Sequence, residues 1–253
     1  MKAMINTQYG MPEVLHLEEI EKPIPNDNEV LVKVHATTVN RTDCAVLTGK
    51  PFIMRFFVGL FKPKHPIQGT DLAGEVEAIG KEVSQFKVGD NVFGFNDEGL
   101  SSHAQYLCIN EEKAITTFPN KISFEHAAAS IEGAHYAYNF INKVKIEEGQ
   151  RIMVYGATGA IGSAMVQLLK QYNVHLTAVG NTKNMDLVKS LGPDKVINYQ
   201  TEDFTKTNER FDFVFDAVGK STFGICKQLL KPKGVYISSE LGPWAQNIFY
   251  SLI

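Results

Sequence analysis

Cysteine is scarce and neither sign of charge dominates, and these two shortages narrow the chemistry before any motif is read. The 253 residues include three cysteines, Cys44, Cys108 and Cys226, widely spaced and never in a Cys-x-x-Cys pair. That excludes a disulfide framework and a cysteine-built zinc site, and makes a reducing cytoplasm the expected location. Twenty-five basic against twenty-eight acidic residues leave a formal charge of −3, so no positive field invites nucleic acid or an anionic membrane. The opening MKAMINTQYGMPEVLHLEE has no sustained apolar stretch, small-residue cleavage site or Arg/Ser-rich amphipathic pattern, so no targeting peptide is expected. Internal repeats and low-complexity tracts are absent. One uncharged run, 152–169, reaches the length of a membrane span, but its three glycines and its change from strand-like to helix-like texture predict a buried turn instead.

What is present is the profile of a folded chain, 44% hydrophobic and 21% charged, long enough for one large domain or two modest ones. The texture changes near Pro119-Asn120. Before it, short strands are separated by turn residues: 29–39, 71–80, 91–95 and 104–109, with Pro23, Pro25 and Asn26 ahead of the first and a Lys87-Val88-Gly89-Asp90 turn between the second and third. Val30, Val32 and Val34 alternate with Leu31, Lys33 and His35, the pattern of an antiparallel, barrel-like sheet buried on one face. After it comes a helix at 124–142, nearly uncharged and expected to be buried. Strands at 151–156, 175–180, 195–199, 211–218 and 234–240 then alternate with helices at 160–172, 184–191 and 221–230. Such alternation predicts βαβ units and a doubly wound parallel sheet.

The strongest chemical signal is VYGATGAIGSAMVQLLK at 154–170. Gly156, Thr158, Gly159, Ala160, Ile161 and Gly162 fall between an apolar strand and an apolar helix, the context in which a glycine-rich turn holds a dinucleotide. Gly159 lets a pyrophosphate approach the backbone, Gly162 lets helix and strand pack closely, and the free N–H groups of the helix start hold the anion. The alternative is a tight βα turn with no ligand. At the end of the second strand, an NAD site normally presents Asp or Glu to the ribose hydroxyls. Here Asn181, Thr182 and Lys183 offer donors and a cation, which predicts NADP(H); the alternative is a solvated lysine at a helix start. Asp186, one turn on, is expected to cap the helix or face water.

These blocks, with VNRTDCAVLTGKPF at 39–52, PIQGTDLAGEVEAIGKEV at 66–83, FKVGDNVFGF at 86–95, AAASIEGAHYAY at 127–138, KSLGPDKVINY at 189–199 and FDAVGK at 215–220, resemble the medium-chain dehydrogenase/reductase superfamily over nearly the whole chain. The likeness is to its zinc-free, quinone-oxidoreductase-like branch. It implies a GroES-like catalytic domain over 1–120 and an NADP-binding Rossmann domain over 121–253. Zinc-dependent relatives place a cysteine at Asn40 and a His-Glu pair at Thr70-Asp71, so the resemblance implies a site without metal. It also implies hydride transfer from NADP(H) to a small hydrophobic electrophile, a quinone, enone or enal, in the interdomain cleft.

By position in the family pattern, Asn40 stands beside the nicotinamide as a donor to a substrate oxygen, and Arg41 reaches the pyrophosphate. Thr42 matches the hydroxyl of a proton relay, and Asp43 an acidic position kept in the zinc-free branch. The plainer readings are that Asn40 and Thr42 cap a helix at 41–48, that Asp43 pairs with Arg41, and that Cys44 is buried. His135 stands where the family has a small hydroxyl residue; it is a candidate proton donor, or a histidine hydrogen-bonded within a buried helix. Tyr199 is implied beside the adenine, and Val218, Gly219 and Ser239 follow later strand ends, with core packing the other reading for Val218. Phe52, Phe56, Phe57 and Phe61 have near-helical spacing and suggest an apolar lid or a packing stripe. After Glu240 the chain runs only through LGPWAQNIFYSLI, so the Rossmann sheet is expected to lack its sixth strand. Trp244, Phe249 and Tyr250 are then left without a partner, and the edge that commonly forms a homodimer is open. A cofactor-binding protein without turnover is the rival to the reductase.

Overall fold

β-Prone runs broken by proline and glycine supply the early strands of the computed structural model, which describes residues 1–96 and 99–239. These are β1 (Lys2–Ile5), β2 (His16–Glu19), β3 (Glu29–Ala36), β4 (Asp71–Ile79), β5 (Asn91–Phe95), β6 (Tyr106–Asn110) and β7 (Ile115–Thr117). β1 and β2 pair as a ribbon, and the others form an antiparallel sheet in the order β6-β3-β4-β5-β7. Register shifts in the β3–β4 pair, at Leu31/Val32 and Val34/Ala36, bend the sheet as bulges do. Its core gathers Val30, Val32, Leu72, Val76, Val92 and Leu107. The expected alternation holds for Val30, Val32, Lys33 and His35, but Leu31, between its register partners Ala78 and Cys108, is buried as well. Two helices interrupt the strands, α1 (Arg41–Thr48) and α2 (Arg55–Val58).

Two compact units divide the chain, Met1–Ile131 and Glu132–Ile253. The changeover falls inside α3 (Phe124–Ile141), beyond the change of texture at Pro119-Asn120. α3 is not the buried helix that its lack of charge suggested. Ala127, Ala128, Ala137 and Ile141 are buried, but Tyr138 and His135 are exposed. Low charge lets a helix bury one apolar face without requiring it to bury the others.

In the second unit β8 (Arg151–Tyr155), α4 (Ala160–Leu169), β9 (His175–Gly180), α5 (Met185–Ser190), β10 (Lys195–Asn198), β11 (Phe211–Asp216), α6 (Phe223–Cys226) and β12 (Leu230–Ser238) alternate as expected. α6 is a single turn continued by a 3₁₀ turn, shorter than the helix read at 221–230. The strands are parallel in the order β10-β9-β8-β11-β12. Alternate β8 residues serve opposite faces. Ile152 and Val154 join Met165, Val166 and Leu169 of α4, whereas Met153 and Tyr155 join Phe211, Val214, Cys226 and Leu229. The uncharged run at 152–169 is thus a buried strand, a turn and a helix that buries one face through Gly162, Met165, Val166 and Leu169, and among the described residues no helix is long and apolar enough to cross a membrane. The sheet has five strands among the described residues. Trp244, Phe249, Tyr250 and the rest of the final segment lie outside them.

Candidate nucleotide and acceptor sites

The winding direction of the parallel sheet reverses between β8 and β11. From β8 the chain steps through α4 to β9 on one side, and from β11 through α6 to β12 on the other. Loops at the carboxyl ends of such a pair part and leave a crevice. The glycine turn and the Val218-Gly219 loop are the two loops at this point. Register pairs Tyr155 with both Val179 and Asp216, and Asp216 with Ser238, so the residues after each strand gather along one sheet edge.

The three glycines of the turn answer to different constraints. Gly156 has φ +84°, a conformation that disfavours a side chain, and the methyl groups of Val218 pack against it, 2.7 Å from where a Cβ would stand. A Cβ on Gly162 would lie 2.2 Å from the Gly156 carbonyl oxygen and 2.8 Å from Ala157 Cα, so that glycine is required by the approach of helix to turn. On Gly159 the nearest atom would be 3.6 Å away, an ordinary contact, so the protein itself does not demand glycine there. Gly159 is the N-cap of α4 and makes no side-chain cap, and no acidic residue stands in the first turn. The leading N–H groups of Ala160, Ile161 and Gly162 are those that an α-helix leaves without internal partners. This is a cradle suited to a phosphate. Thr158, half-buried, lies against Gly180.

At the end of β9, Asn181 caps the following 3₁₀ turn through its side chain, which accepts from Asn184 N at 3.3 Å. Thr182 N donates to Gln200 Oε1 at 2.9 Å, and Thr182 Oγ1 accepts from Asn198 Nδ2 at 2.7 Å. Lys183 is exposed, and Asp186 pairs with Lys189 at 3.6 Å. Tyr199, 40% exposed, is tied to Gly180 O through its N–H. Val218 is half-buried, and its role in the structure includes packing on Gly156. Asp216, not singled out in the sequence, organises this side. Its Oδ1 accepts from Val218 N and Gly219 N at 3.1 and 2.8 Å, and its Oδ2 from Ser221 N and Tyr236 Oη, both at 2.9 Å. Ser239 N donates to the Asp216 carbonyl oxygen. Burial, with Asp216 nearby, pushes the Tyr236 hydroxyl far above its ordinary value, and burial raises the Cys226 thiol to about 11.

The first unit gathers a separate polar cluster. Asn40 caps α1 in a reciprocal box: its Oδ1 accepts from Asp43 N at 3.0 Å, and its N–H donates to Asp43 Oδ2 at 2.9 Å. Asn40 Nδ2 donates to Thr70 Oγ1 at 2.6 Å and reaches Asp71 Oδ2 at 3.4 Å. Asp71 also accepts from Thr38 N at 2.8 Å and from the hydroxyls of Thr37 and Thr38. Asp43 does not pair with Arg41 as the plainer reading had it. Its neighbour is the imidazole of His103, with Nε2 3.9 Å from Asp43 Oδ2 and 3.0 Å from the Thr38 carbonyl oxygen. Asp43 Oδ1 is buried without a hydrogen-bond partner, although the Gly69 N–H lies close enough to favour the charged form. Burial dominates and pushes the Asp43 carboxyl above its ordinary range.

Two pockets of about 600 Å³ open around Asp43. One is lined on its apolar side by Phe56 and Phe57 and on its polar side by Asp43 and Thr70. The expected phenylalanine stripe is a 3₁₀ turn followed by α2, and Phe52 and Phe61 are 61% and 88% exposed. Arg41 is exposed and Thr42 half-buried in the first turn of α1. Cys44, expected to be buried, is exposed, because α1 turns Asp43 and Leu47 inward. His135 lies on an exposed face of α3, within 3.0 Å of Asn139 Nδ2 one turn on. His103 had no sequence signal; Asp216 had one, a carboxylate closing the apolar strand FDFVFD.

Residues 26–141 match the family model for the alcohol dehydrogenase GroES-like domain, and residues 160–248 that for a zinc-binding dehydrogenase. A 2-methylene-furan-3-one reductase of Solanum lycopersicum is 34% identical over 230 residues, 87% of this chain and 58% of that protein. A chloroplastic quinone oxidoreductase of Triphysaria versicolor is 33% identical over 244 residues, 90% of this chain and 71% of that protein. The crystal structure of Escherichia coli quinone oxidoreductase complexed with NADPH superposes with a TM-score of 0.78 at 25% identity, covering 94% of this chain and 72% of that one. The chain thus spans just under three fifths of the first of these relatives and about seven tenths of the other two. With the strand order, the glycine turn and the antiparallel first unit, these matches show that the chain belongs to the medium-chain dehydrogenase/reductase superfamily, in its quinone-oxidoreductase-type branch.

Proposed function

We propose that the chain is an NADPH-dependent, zinc-independent reductase of quinones or α,β-unsaturated carbonyls. The observation that carries this reading is the switch-point cradle, in which Gly159 is free of any steric demand from the protein yet sits where a pyrophosphate would approach. The relatives named for quinone and enone reduction, and the neighbour bound to NADPH, support it. When bound, the nicotinamide supplies the hydride. The chain's part is to bind, orient and hold protons. The N–H groups of Ala160, Ile161 and Gly162 would hold the pyrophosphate, Thr182 and Lys183 the 2′-phosphate, and Tyr199 the adenine. Val218, Gly219 and Ser239 would border the nicotinamide end.

On the acceptor side, Phe56 and Phe57 offer the apolar wall that a planar electrophile requires. Asp43, a buried carboxyl whose pKa burial raises, lines the same pocket and would be the group that handles a proton beside an oxygen gaining negative charge. Zinc does not fit the residues. Asn40, Thr70 and Asp71 present an amide, a hydroxyl and a carboxylate already engaged with each other and with Thr37 and Thr38, a poor set for a metal that favours thiolate and imidazole. Among the described residues, no group of three His, Cys, Asp or Glu is placed to hold a metal.

Fluorescence titration with NADPH and NADH, followed by NADPH absorbance in the presence of 1,2-naphthoquinone and an alkenal, tests the reading. Tighter NADPH binding and oxidation by at least one acceptor are expected. Binding without oxidation by either would leave a cofactor-binding protein without turnover, and stoichiometric zinc in the purified chain would overturn the metal-free assignment.

A further inference from the structure

We infer that Asn198, through Thr182, sets the preference for a 2′-phosphorylated cofactor; the inference rests on the nucleotide site proposed above and assigns its selectivity to residues beyond the β9 tip. The sheet creates the arrangement. Asn198, the last residue of β10, is the register partner of Gly180, the last of β9, and Tyr199 N holds the two strand ends together by donating to Gly180 O at 3.1 Å. The loops that follow therefore lie side by side.

The polarity of the hydrogen bonds is settled at one end. Gln200 N can only donate, and it does so to Asn198 Oδ1 at 3.1 Å. That fixes which way the Asn198 carboxamide faces, so its Nδ2 must be the atom that meets Thr182 Oγ1 at 2.7 Å. Thr182 Oγ1 is consequently an acceptor toward Asn198, and its hydroxyl hydrogen is left to donate elsewhere. The other donor of the same residue is already spent, because Thr182 N is held by Gln200 Oε1 at 2.9 Å. The result is a one-way chain of donors, from Gln200 N–H to Asn198, from Asn198 to Thr182, and from Thr182 outward. It ends in a donor that calls for an acceptor beside the exposed Lys183. A phosphate offers acceptors only and carries the complementary charge, whereas a ribose hydroxyl can serve as either partner. Asp186, the nearest acid along the chain, is paired with Lys189.

Asn198→Asp reverses the chain. A carboxylate there would accept the Thr182 hydroxyl hydrogen and add negative charge where the phosphate is to sit. The test uses two fragments, 2′,5′-ADP and 5′-AMP, titrated calorimetrically against the full chain, with thermal unfolding as a check on the fold. For the wild type, 2′,5′-ADP should bind at least roughly tenfold more tightly than 5′-AMP, and Asn198→Asp should remove most of that difference while moving 5′-AMP less than about twofold. Asn198→Ala and Thr182→Val should each weaken 2′,5′-ADP several-fold, and the double variant should be no weaker than the worse single, as expected of two residues acting in series. If the wild type prefers 2′,5′-ADP and Asn198→Asp keeps that preference, or if the two losses add, the role of Asn198 is overturned and the NADPH reading stands. If the wild type does not distinguish the fragments, both fall.

Discussion

Gly159 and Gly162 are three positions apart in one turn, yet only Gly162 is held to glycine by the protein. Gly162→Ala forces a methyl group onto the Gly156 carbonyl oxygen, backbone against backbone, and should cost about 2–3 kcal/mol, read as a lower urea midpoint. Gly159→Ala should leave that midpoint unchanged and weaken NADPH binding, because its methyl meets the protein only at ordinary contact distance and would crowd a bound pyrophosphate; equal NADPH affinity would remove the pyrophosphate from this position. Asp43 carries the other residue-scale prediction. Its folded pKa lies above the unfolded one, so the folded chain binds more protons between the two values. Stability is therefore lost as pH rises through that window, beginning near the ordinary aspartate value of about 4. Asp43→Asn keeps an oxygen for the Asn40 N–H and removes the titration. Urea midpoints followed from about pH 4 to 7 should fall in the wild type relative to the variant; a pH-independent difference would mean that burial is not the dominant influence on this carboxyl.

At the scale of elements, the loop after β11 depends on one side chain. Asp216 is buried and receives three backbone N–H groups and the Tyr236 hydroxyl. Asp216→Ala leaves those donors in the interior without acceptors, at a cost of at least about 3 kcal/mol. It also frees Val218 and Gly219 from the switch point, so a large fall in melting temperature should come with weaker NADPH binding. Retained stability would mean that water replaces the carboxylate. The strands and helices themselves were largely legible: β5, β9 and α1 have the bounds read from the sequence, since turn-forming and capping residues punctuate them, Gly89-Asp90 before β5, Gly180 closing β9, and Asn40 and Gly49 capping α1. α6 was overread because an apolar run of helical composition can also be closed by a 3₁₀ turn, and β12 begins at Leu230, well before the glycine taken as its start.

For the whole molecule, the cofactor-binding prediction has a spatial form. All the nucleotide candidates described in the second unit lie at carboxyl ends of parallel strands, so NADPH should slow amide exchange at 156–162, 181–183 and 218–219 first. At about a hundred times its dissociation constant it should add about 2.7 kcal/mol to the stability of the state that binds it. Hydrogen-exchange mass spectrometry checks this; protection spread evenly over β1–β7, with none at the glycine turn, would contradict the site.

By itself the sequence determined the alternation of strands and helices, the glycine turn, the lack of a carboxylate at the tip of β9 and the presence of an amide and a hydroxyl at Asn40 and Thr70, because each is a property of a short run of residues. Only the tertiary structure decided the rest. His103 meets Asp43 because β4 and the loop before β6 bring residues from distant parts of the chain around α1. Asp216 and Tyr236 meet because β11 and β12 are neighbours. Asn198 and Gln200 reach Thr182 because β10 lies beside β9 in parallel register. Hydrogen-bond direction and burial depend on what stands opposite a residue in space, and sequence spacing does not carry that information.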